Sequence, residues 1–443
     1  MECFNVFRLS FDPNRPPADA SAAEWAARKE LWTAFRQTDD PKAFTSKIDL
    51  FFGGGAFDQD NAWRQGLTVA PWPADQPPAP LAFTEDGVDL FPRQMGGETW
   101  RTDVFFGTCL STFGICYNTD RMADLGIRQA PARWADLAAP AWFGQLGAAD
   151  PTKSGSIAKA FEMIVHEQCQ RALVNAGFSE PQIEEFERRI QQARLAPGQM
   201  PEGVPADYQA ALEAGWMNGV RLLQAIGANA RYFTDAAGKV PMDVGMGSAA
   251  AGISIDFYGR CEAETTQGRG ASTPMKYMTP AGGSSVSADP IALLRGAEHR
   301  ELAVSFICFT LSEEGQRLWN YRPGTPGGPR KYALRRLPIR RDFYPSSHAA
   351  LQARYERHKP FTSDSLGDPA VNPYELAEKF TYHPRWTAGH YGILRDLMRA
   401  MCLDAGEELR AAWKAILAAG GPEAQPEAMR RLRQMPERPE PLN

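Results

Sequence analysis

Two serines and a glycine form the clearest candidate for chemistry in this chain. Residues 150–156 (DPTKSGS) place Ser154, Gly155 and Ser156 where a loop passes into a predicted helix. Unpaired N–H groups and the helix dipole favour an anion at such a point, and the hydroxyls add donors. A plain N-cap explains the serines equally well, because serine is favoured there. The run is not a Walker loop, since its lysine precedes the glycine.

A glycine triplet is the second candidate. Residues 53–55 (GGG) follow the apolar run 48–52 (IDLFF), which the pattern predicts as a buried strand. Glycines after a strand let a ligand approach the backbone closely. An ordinary tight turn is the alternative, and the spacing does not match a dinucleotide fingerprint.

Alternating residues near position 255 are the third candidate. In a strand of period two, one set of side chains faces the core and the other set faces the opposite side. That second set would line a pocket or face solvent, and it contains Ser254, Asp256 and Tyr258. The serines at 284 and 285, after two glycines, are a weaker candidate of the same kind.

Composition and motifs argue against several functional classes. The net charge of −5 lacks the basic excess typical of nucleic-acid-binding proteins. No apolar stretch is long enough to cross a membrane. The seven cysteines are scattered without CxxC, the six histidines lack a nucleophile motif beside them, and GxSxG is missing. Neither a zinc site of usual spacing nor a serine-hydrolase site is indicated.

The order of predicted elements indicates the fold class. Apolar runs typical of strands occur near 48–52, 103–118, 243–258 and 274–294, and helical patterns separate them. Strands that alternate with helices over residues 48–320 predict an α/β protein with mostly parallel sheets. The length of 443 residues fits more than one domain.

Five segments, in this order, resemble the extracellular solute-binding proteins of bacterial ABC importers, with the ferric-ion and polyamine types most similar. IDLFFGGG at 48–55 resembles the strand and turn of their first lobe, and LSTFGICYNTDRMADLGI at 110–127 resembles the crossover between lobes. Segments 134–156 and 227–260 resemble the second lobe, and 280–319 resembles the return crossover.

The resemblance implies a two-lobed, periplasmic-binding-protein-like class II fold with a helical C-terminal extension. We expect a first lobe over 1–110, a second lobe over 111–280, a return to the first lobe over 281–345 and the extension over 346–443. Members have a strand–helix–strand unit before the GGG segment, whereas only 47 residues precede Ile48 here. We therefore expect the first lobe to lack part of its N-terminal sheet.

The resemblance also implies a function. A binding protein of this type is a periplasmic monomer without enzymatic activity or cofactor, and it delivers its ligand to an ABC transporter permease. Its hinge closes over a small solute between the lobes, and a metal ion, a polyamine and a small anion all remain open. No secretory signal is evident in the first ten residues, so a cytoplasmic enzyme or sensor on the same fold is the alternative.

Site residues follow from the matching segments. In ferric-ion binders two adjacent tyrosines bind the metal, and here the matching pair is Phe257 and Tyr258, which leaves Tyr258 as the one candidate metal ligand. The full set of expected ligand contacts is Gly54, Gly55, Ser111, Thr112, Thr152, Ser154, Gly155, Ser156, Asn229, Asp256, Tyr258 and Ser285.

Overall fold

The computed structural model describes residues 21–45, 47–79, 81–85, 87–193, 199–267, 274–362 and 372–434. The expectation for the first ten residues lies outside this part of the chain. Of the helices in the part described, none combines the length and apolar character needed to cross a bilayer.

The α-helices are numbered here in chain order. They are α1 (Ala22–Gln37), α2 (Ala56–Arg64), α3 (Thr119–Asp124), α4 (Gly155–Asn175), α5 (Glu180–Ala193), α6 (Ala206–Asn229), α7 (Lys239–Gly245), α8 (Asp256–Gln267), α9 (Arg300–Leu311), α10 (Glu313–Asn320), α11 (Ala349–His358), α12 (Pro373–Glu378), α13 (Pro384–Thr387), α14 (Tyr391–Met398), α15 (Gly406–Ala418) and α16 (Pro426–Leu432). A π-helix, Arg399–Asp404, follows α14 directly.

The strands are numbered in the same way. They are β1 (Leu50–Phe52), β2 (Thr68–Val69), β3 (Thr84–Glu85), β4 (Val88–Asp89), β5 (Gln94–Met95), β6 (Glu98–Thr99), β7 (Phe105–Ser111), β8 (Phe113–Asn118), β9 (Leu146–Ala149), β10 (Ala230–Thr234), β11 (Ala251–Ile255), β12 (Met275–Met278), β13 (Ser287–Leu294) and β14 (Leu337–Pro338).

The chain forms two compact units, each built from separate stretches. Unit 1 comprises Met1–Ser111 and Val286–Glu378, and unit 2 comprises Thr112–Ser285 and Lys379–Asn443. The expectation of a single extension over 346–443 is wrong, because this stretch divides between the units. Apolar side chains explain the division: Leu351 and Tyr374 lie in the core of unit 1, whereas Trp386 and Trp413 lie in the core of unit 2.

Unit 1 is built on an antiparallel sheet. Its order is β1-β13-β7-β14, and β2 also pairs with β13. A register shift between Asp289 and Pro290 interrupts the pairing of β13 with β7, as expected where a proline has no N–H for the ladder. Strand β1 is at the end of this sheet and its Phe52 is 46% exposed, so the prediction of a buried strand is wrong.

Unit 2 contains a mixed sheet of order β10-β9-β11-β8-β12. Strand β9 pairs in parallel with β10 and β11, whereas β8 is antiparallel to both β11 and β12. The prediction of mostly parallel sheets is therefore wrong. Alternation along the chain does not reveal which strands become neighbours, and in unit 1 the returning strand β13 inserts between β1 and β7.

Helices α4 and α6 pack closely because glycines face the contact. A Cβ on Gly215 of α6 would lie 2.5 Å from the Cα of Cys169 in α4, and one on Gly219 would lie 2.7 Å from the Cα of Val165. Only a residue without a side chain fits at such distances. These glycines, four residues apart, bring the two backbones together under the sheet.

Gly215→Ala is expected to destabilise the protein by about 1–3 kcal/mol, the usual cost of overpacking, although alanine is the better helix former. Gly392→Ala is the matched control, because Gly392 also lies in a helix and a Cβ there would meet nothing within 4 Å. Urea denaturation measures both changes. Equal unfolding free energies for the two variants would refute the close helix contact.

Candidate functional site

Five chain segments of unit 2 converge at one edge of its sheet. Because parallel strands end at the same side, the segments that follow β9, β10 and β11 lie together. Ile255 pairs with Phe113, so the antiparallel strand β8 begins at this edge, and β12 ends there. We call residues 112, 150–156, 256 and 258 the unit 2 edge. It brings together most of the residues predicted to contact ligand in this unit.

The loop between β9 and α4 is held from within. Asp150 is buried, and its Oδ1 accepts from the Thr152 N–H at 2.8 Å and from the Thr152 hydroxyl at 2.6 Å. Ser154 is the N-cap of α4, with its Oγ accepting from the Ile157 N–H at 3.4 Å. The Oγ atoms of Ser154 and Ser156 are 3.2 Å apart. Two hydroxyls thus lie beside the first N–H groups of α4, which is a long helix.

The C-terminal part of unit 2 holds the same loop from outside. The Tyr391 hydroxyl donates to the Gly155 carbonyl at 2.9 Å, and the Nε of Arg395 donates to the Pro151 carbonyl at 2.8 Å. Arg399 lies 3.4 Å from both Asp150 Oδ2 and Thr152 Oγ1. Sequence reasoning missed these residues, because nothing in their spacing links them to a loop about 240 positions earlier.

The predicted alternation around position 255 is wrong. Strand β11 ends at Ile255 and α8 begins at Asp256, so Ser254, Asp256 and Tyr258 do not share a strand face. Ser254 is fully buried, and its Oγ donates to the Ile255 carbonyl at 2.9 Å. Tyr258 lies in the first turn of α8 and is 39% exposed. Its ring centroid is 4.2 Å from that of Phe257.

Two predicted contacts at this edge, Thr112 and Asp256, and the predicted contact Ser285 of the return segment are buried and support the backbone. The Oγ1 of Thr112 is 2.9 Å from that of Thr279, and the Thr112 carbonyl accepts from the Asp256 N–H at 3.0 Å. Asp256 Oδ1 in turn accepts from the Phe257 N–H at 2.8 Å. The Ser285 N–H lies 3.3 Å from the Met163 sulfur. These residues fix where β8, α8 and the return segment meet.

Asn229 lies elsewhere. It precedes β10 and therefore stands at the opposite edge of the sheet, fully buried. Its Nδ2 donates to the carbonyls of Leu137 and Ala139, each at 2.9 Å, and its Oδ1 accepts from the Trp413 indole at 2.8 Å. Both amide hydrogens are used, so Asn229 is a structural residue and not part of the unit 2 edge.

The unit 2 edge contains the charged residues Asp150, Lys153 and Asp256. Burial, and then the negative charge of Asp256, raise the pKa of Tyr277 well above its ordinary value. Within the described ranges, no group of three or more His, Cys, Asp or Glu is placed to hold a metal ion. Tyr258 stands beside a phenylalanine, so the predicted metal contact has no second phenolate next to it.

Unit 1 carries its own polar edge. Gly53 and Gly54 adopt positive φ angles of 99° and 73°, and the Gly53 N–H donates to the Pro290 carbonyl at 2.8 Å. The Gly55 N–H donates to Asp58 Oδ2 at 3.2 Å, so this predicted donor is already used within its own turn. The glycines thus make the tight turn from β1 into α2.

An ion pair stands at the same end of the sheet. Arg336 pairs with Asp289, and the two side chains are 22% and 29% exposed. The Ser111 hydroxyl, at the end of β7, lies 3.4 Å from Asp289 Oδ2 and 3.4 Å from Arg336. We call residues 53–55, 111, 289 and 336 the unit 1 edge. Sequence reasoning found Ser111 but missed the ion pair, although a charged residue inside the apolar run 286–294 (VSADPIALL) is the signal that marks Asp289.

Comparison with known proteins gives a family match. The family model described as bacterial extracellular solute-binding protein matches residues 82–344. No curated protein matches the chain.

Solved structures similar to the chain include three binding proteins. Fructose-6-phosphate-bound AfuA from Actinobacillus pleuropneumoniae is 17% identical, with a TM-score of 0.44 over 86% of this chain and 88% of that one. Iron-bound HitA from Pseudomonas aeruginosa is 16% identical (TM-score 0.45, 84% and 88%). PotD, a spermidine/putrescine transporter subunit from Streptococcus pneumoniae, is 12% identical (TM-score 0.44, 84% and 88%). At these values the neighbours do not indicate which ligand this chain binds.

Proposed function

Because this chain belongs to the bacterial extracellular solute-binding protein family, we propose that it captures a small solute outside the cytoplasm and delivers it to an ABC transporter. The unit 2 edge and the unit 1 edge are each proposed as a surface that contacts the solute, and binding favours the ligand-bound form of the chain. One observation carries the proposal: reachable polar groups gather at the carboxyl ends of parallel strands, where ligands of α/β proteins bind.

The unit 2 edge favours a small anion over the other two ligand classes. Ser154 and Ser156 offer hydroxyls beside the N-terminus of α4, a helix of 21 residues, and Gly155 is exposed. Donors and a positive helix end attract negative charge. A polyamine needs reachable carboxylates, whereas Asp256 is buried. A metal ion needs more anionic ligands than the single phenol of Tyr258 supplies.

The unit 1 edge supplies a cation that is held in place. Arg336 is oriented by its ion pair with Asp289, and it is near Ser111. A guanidinium positioned in this way donates charge-assisted hydrogen bonds with little loss of side-chain entropy. In this proposal Arg336 is the residue of the unit 1 edge that contacts a polar group of the solute.

Arg336→Gln is expected to weaken solute binding about tenfold, the equivalent of one charge-assisted hydrogen bond. Arg64→Gln is the control, because Arg64 is a surface residue whose side chain is 70% exposed and paired with Asp60 in the same helix. Calorimetric titration measures both affinities. Unchanged binding in the Arg336 variant would remove the unit 1 edge from the proposal.

Ligand discovery tests the function itself. Purified protein is analysed by native mass spectrometry for a retained small molecule, then unfolded, refolded without ligand and screened by thermal shift. The screen contains inorganic anions, sugar phosphates, carboxylates, metal ions and polyamines. We expect an anion to raise the melting temperature in a concentration-dependent manner. A polyamine or metal ion as the sole hit would contradict the anion assignment, and turnover of a hit would contradict a pure binding function.

A further inference from the structure

A separate cavity lies within unit 1. Its volume is about 280 Å³, and it shares no residue with the unit 1 edge. It is bounded by the two ends of α10, the C-terminal end of α11 and the segments that follow these helices. The lining residues are Glu313, Arg317, Tyr321, Pro326, Arg357, His358 and Phe361.

His358 is the buried polar group of this cavity. It is 1% exposed, and its ring is stacked on Phe343 with centroids 3.9 Å apart and planes at 11°. Its Nδ1 lies 2.8 Å from the Tyr321 hydroxyl. Its Nε2 is buried and has no hydrogen-bond partner in the described part of the chain. A buried polar atom left unpaired is destabilising, so a ligand that satisfied it would gain affinity.

The contacts of His358 favour the tautomer with the proton on Nε2. Burial lowers the pKa of His358 to about 4, so the ring is neutral near pH 7 and has one donor and one acceptor nitrogen. Glu313 Oε1 lies 3.9 Å from Nε2, and a lone pair facing that carboxylate would be repelled. Tyr321, whose own pKa is raised by burial, therefore donates to Nδ1. The N–H of Nε2 is left as a donor in the cavity.

The charges around the cavity sum to one positive charge. Arg317 pairs with Glu313 one helical turn away, and the Nε of Arg317 is buried without a partner among the residues described. Arg357 is exposed, and no carboxylate in the described ranges forms an ion pair with it. With His358 neutral, two guanidinium groups face one carboxylate. Donors therefore outnumber acceptors in the cavity.

One wall of the cavity is apolar. The rings of Tyr321 and Phe361 have centroids 5.5 Å apart, and Pro326 lies beside them in the lining. The cavity volume is near the lower end of the range for small-molecule sites. It therefore suits a compact ligand with an apolar body and a polar head.

We propose that this cavity binds a small organic carboxylate, at a site independent of the solute site described above. The carboxylate accepts hydrogen bonds from the Nε2–H of His358 and from the guanidinium groups of Arg317 and Arg357, as bidentate carboxylate recognition requires. Its single charge matches the net charge of the lining. Its apolar body packs against Phe361 and Pro326. Inorganic phosphate fits less well, because it carries more charge and no apolar part.

Benzoate is the probe for this site. Saturation-transfer NMR on the full chain should detect benzoate binding, and acetate should compete for it better than inorganic phosphate does. Arg357→Gln should weaken binding about tenfold. Arg330→Gln, a change at an exposed arginine outside the lining, should leave it unchanged. Because Arg357 is on the surface, its variant is expected to fold.

His358→Phe is the second variant, since it keeps a ring against Phe343 but loses the donor, and it should abolish benzoate binding. Absence of binding to the native chain, equal affinity in the Arg357 variant, or stronger competition by phosphate would each overturn the proposal. The double change Ser154→Ala and Ser156→Ala should not alter benzoate binding. If that double variant lost it, benzoate would be located at the unit 2 edge and the second site would be refuted.

Discussion

Trp386→Ala is expected to lower the free energy of unfolding by about 3–5 kcal/mol, the usual cost of truncating a buried tryptophan. Trp386 is 2% exposed, and its ring lies on His166 with centroids 4.6 Å apart. Its indole donates to Glu187 Oε1 at 2.8 Å, and its carbonyl accepts from Trp216 at 2.9 Å. The change removes packing and one hydrogen bond together.

The neighbours of Trp386 make the loss larger than packing alone predicts. Burial by itself would raise the pKa of Glu187, yet hydrogen bonds and charge from Arg385, with help from Trp386 and Tyr208, bring this pKa below its ordinary value. Glu187 is therefore a buried carboxylate that depends on its donors. Removing the indole of Trp386 removes one of these donors and leaves a cavity beside the Glu187 carboxylate.

Two further variants separate these contributions. Trp386→Phe keeps most of the packing and loses the N–H, so we expect a smaller loss of about 1–3 kcal/mol. Trp63→Ala is the control, because Trp63 is 50% exposed and surface changes usually stay within about 0.5 kcal/mol. Urea denaturation followed by circular dichroism measures all three. If Trp386→Ala were no more destabilising than the control, the C-terminal part would not be integral to unit 2.

Local signals predicted several elements correctly. Ser154 caps α4, as the N-cap interpretation predicts, because a serine before an apolar helix face is a strong and purely local signal. The strand-like run predicted near 103–118 forms β7 and β8. The resemblance to solute-binding proteins, which the family match confirms, supplied the order of segments that local signals alone do not give.

Long-range pairing could not be predicted from local signals. A helical period of 3.6 residues puts Ile157, Phe161 and Ile164 on one face of α4, yet α4 is buried nearly all round, with His166 and Glu162 also inside. The covering layer is the C-terminal part of unit 2, whose Tyr382 and Thr387 each donate to Glu162 at 2.6 Å. Contacts between residues more than 200 positions apart produce no periodic pattern in the sequence of either segment.

The sequence predicted which segments at the strand ends form the candidate site, but it did not predict the position of every side chain there. The loop at 150–156 could be found because helix-start residues follow an apolar run, whereas Tyr258 was found through the resemblance to the tyrosine pair of ferric-ion binders. The prediction for Asp256 is wrong because polar and apolar residues keep alternating for three residues after strand β11 has ended and helix α8 has begun. The prediction for Asn229 is wrong because the sequence does not show at which edge of the sheet a polar residue at a helix end lies.

The double change Ser154→Ala and Ser156→Ala is expected to weaken solute binding about 10- to 100-fold. One hydroxyl that donates to an anion contributes roughly 1.5–3 kcal/mol because the partner is charged, and 1.4 kcal/mol is a factor of ten, so the expected range corresponds to the loss of one such donor from the pair. The fold should persist, since loss of the Ser154 cap costs only about 1 kcal/mol. The remaining structure of the loop rests on Asp150 and on Arg395.

Ser179→Ala is the matched control. Ser179 directly precedes α5 in the same unit and bonds Gln182 through its hydroxyl at 2.8 Å, so the change removes a comparable group far from the unit 2 edge in sequence. Its solute affinity should equal that of the native chain.

Calorimetric titration of the screened solute into the native chain, the double variant and the Ser179 variant decides whether solute recognition depends on the hydroxyls at the start of α4. We predict a dissociation constant raised at least tenfold in the double variant alone, with its circular dichroism spectrum unchanged. A folded double variant that bound the solute as tightly as the native chain would place the recognition of this solute elsewhere and contradict the account.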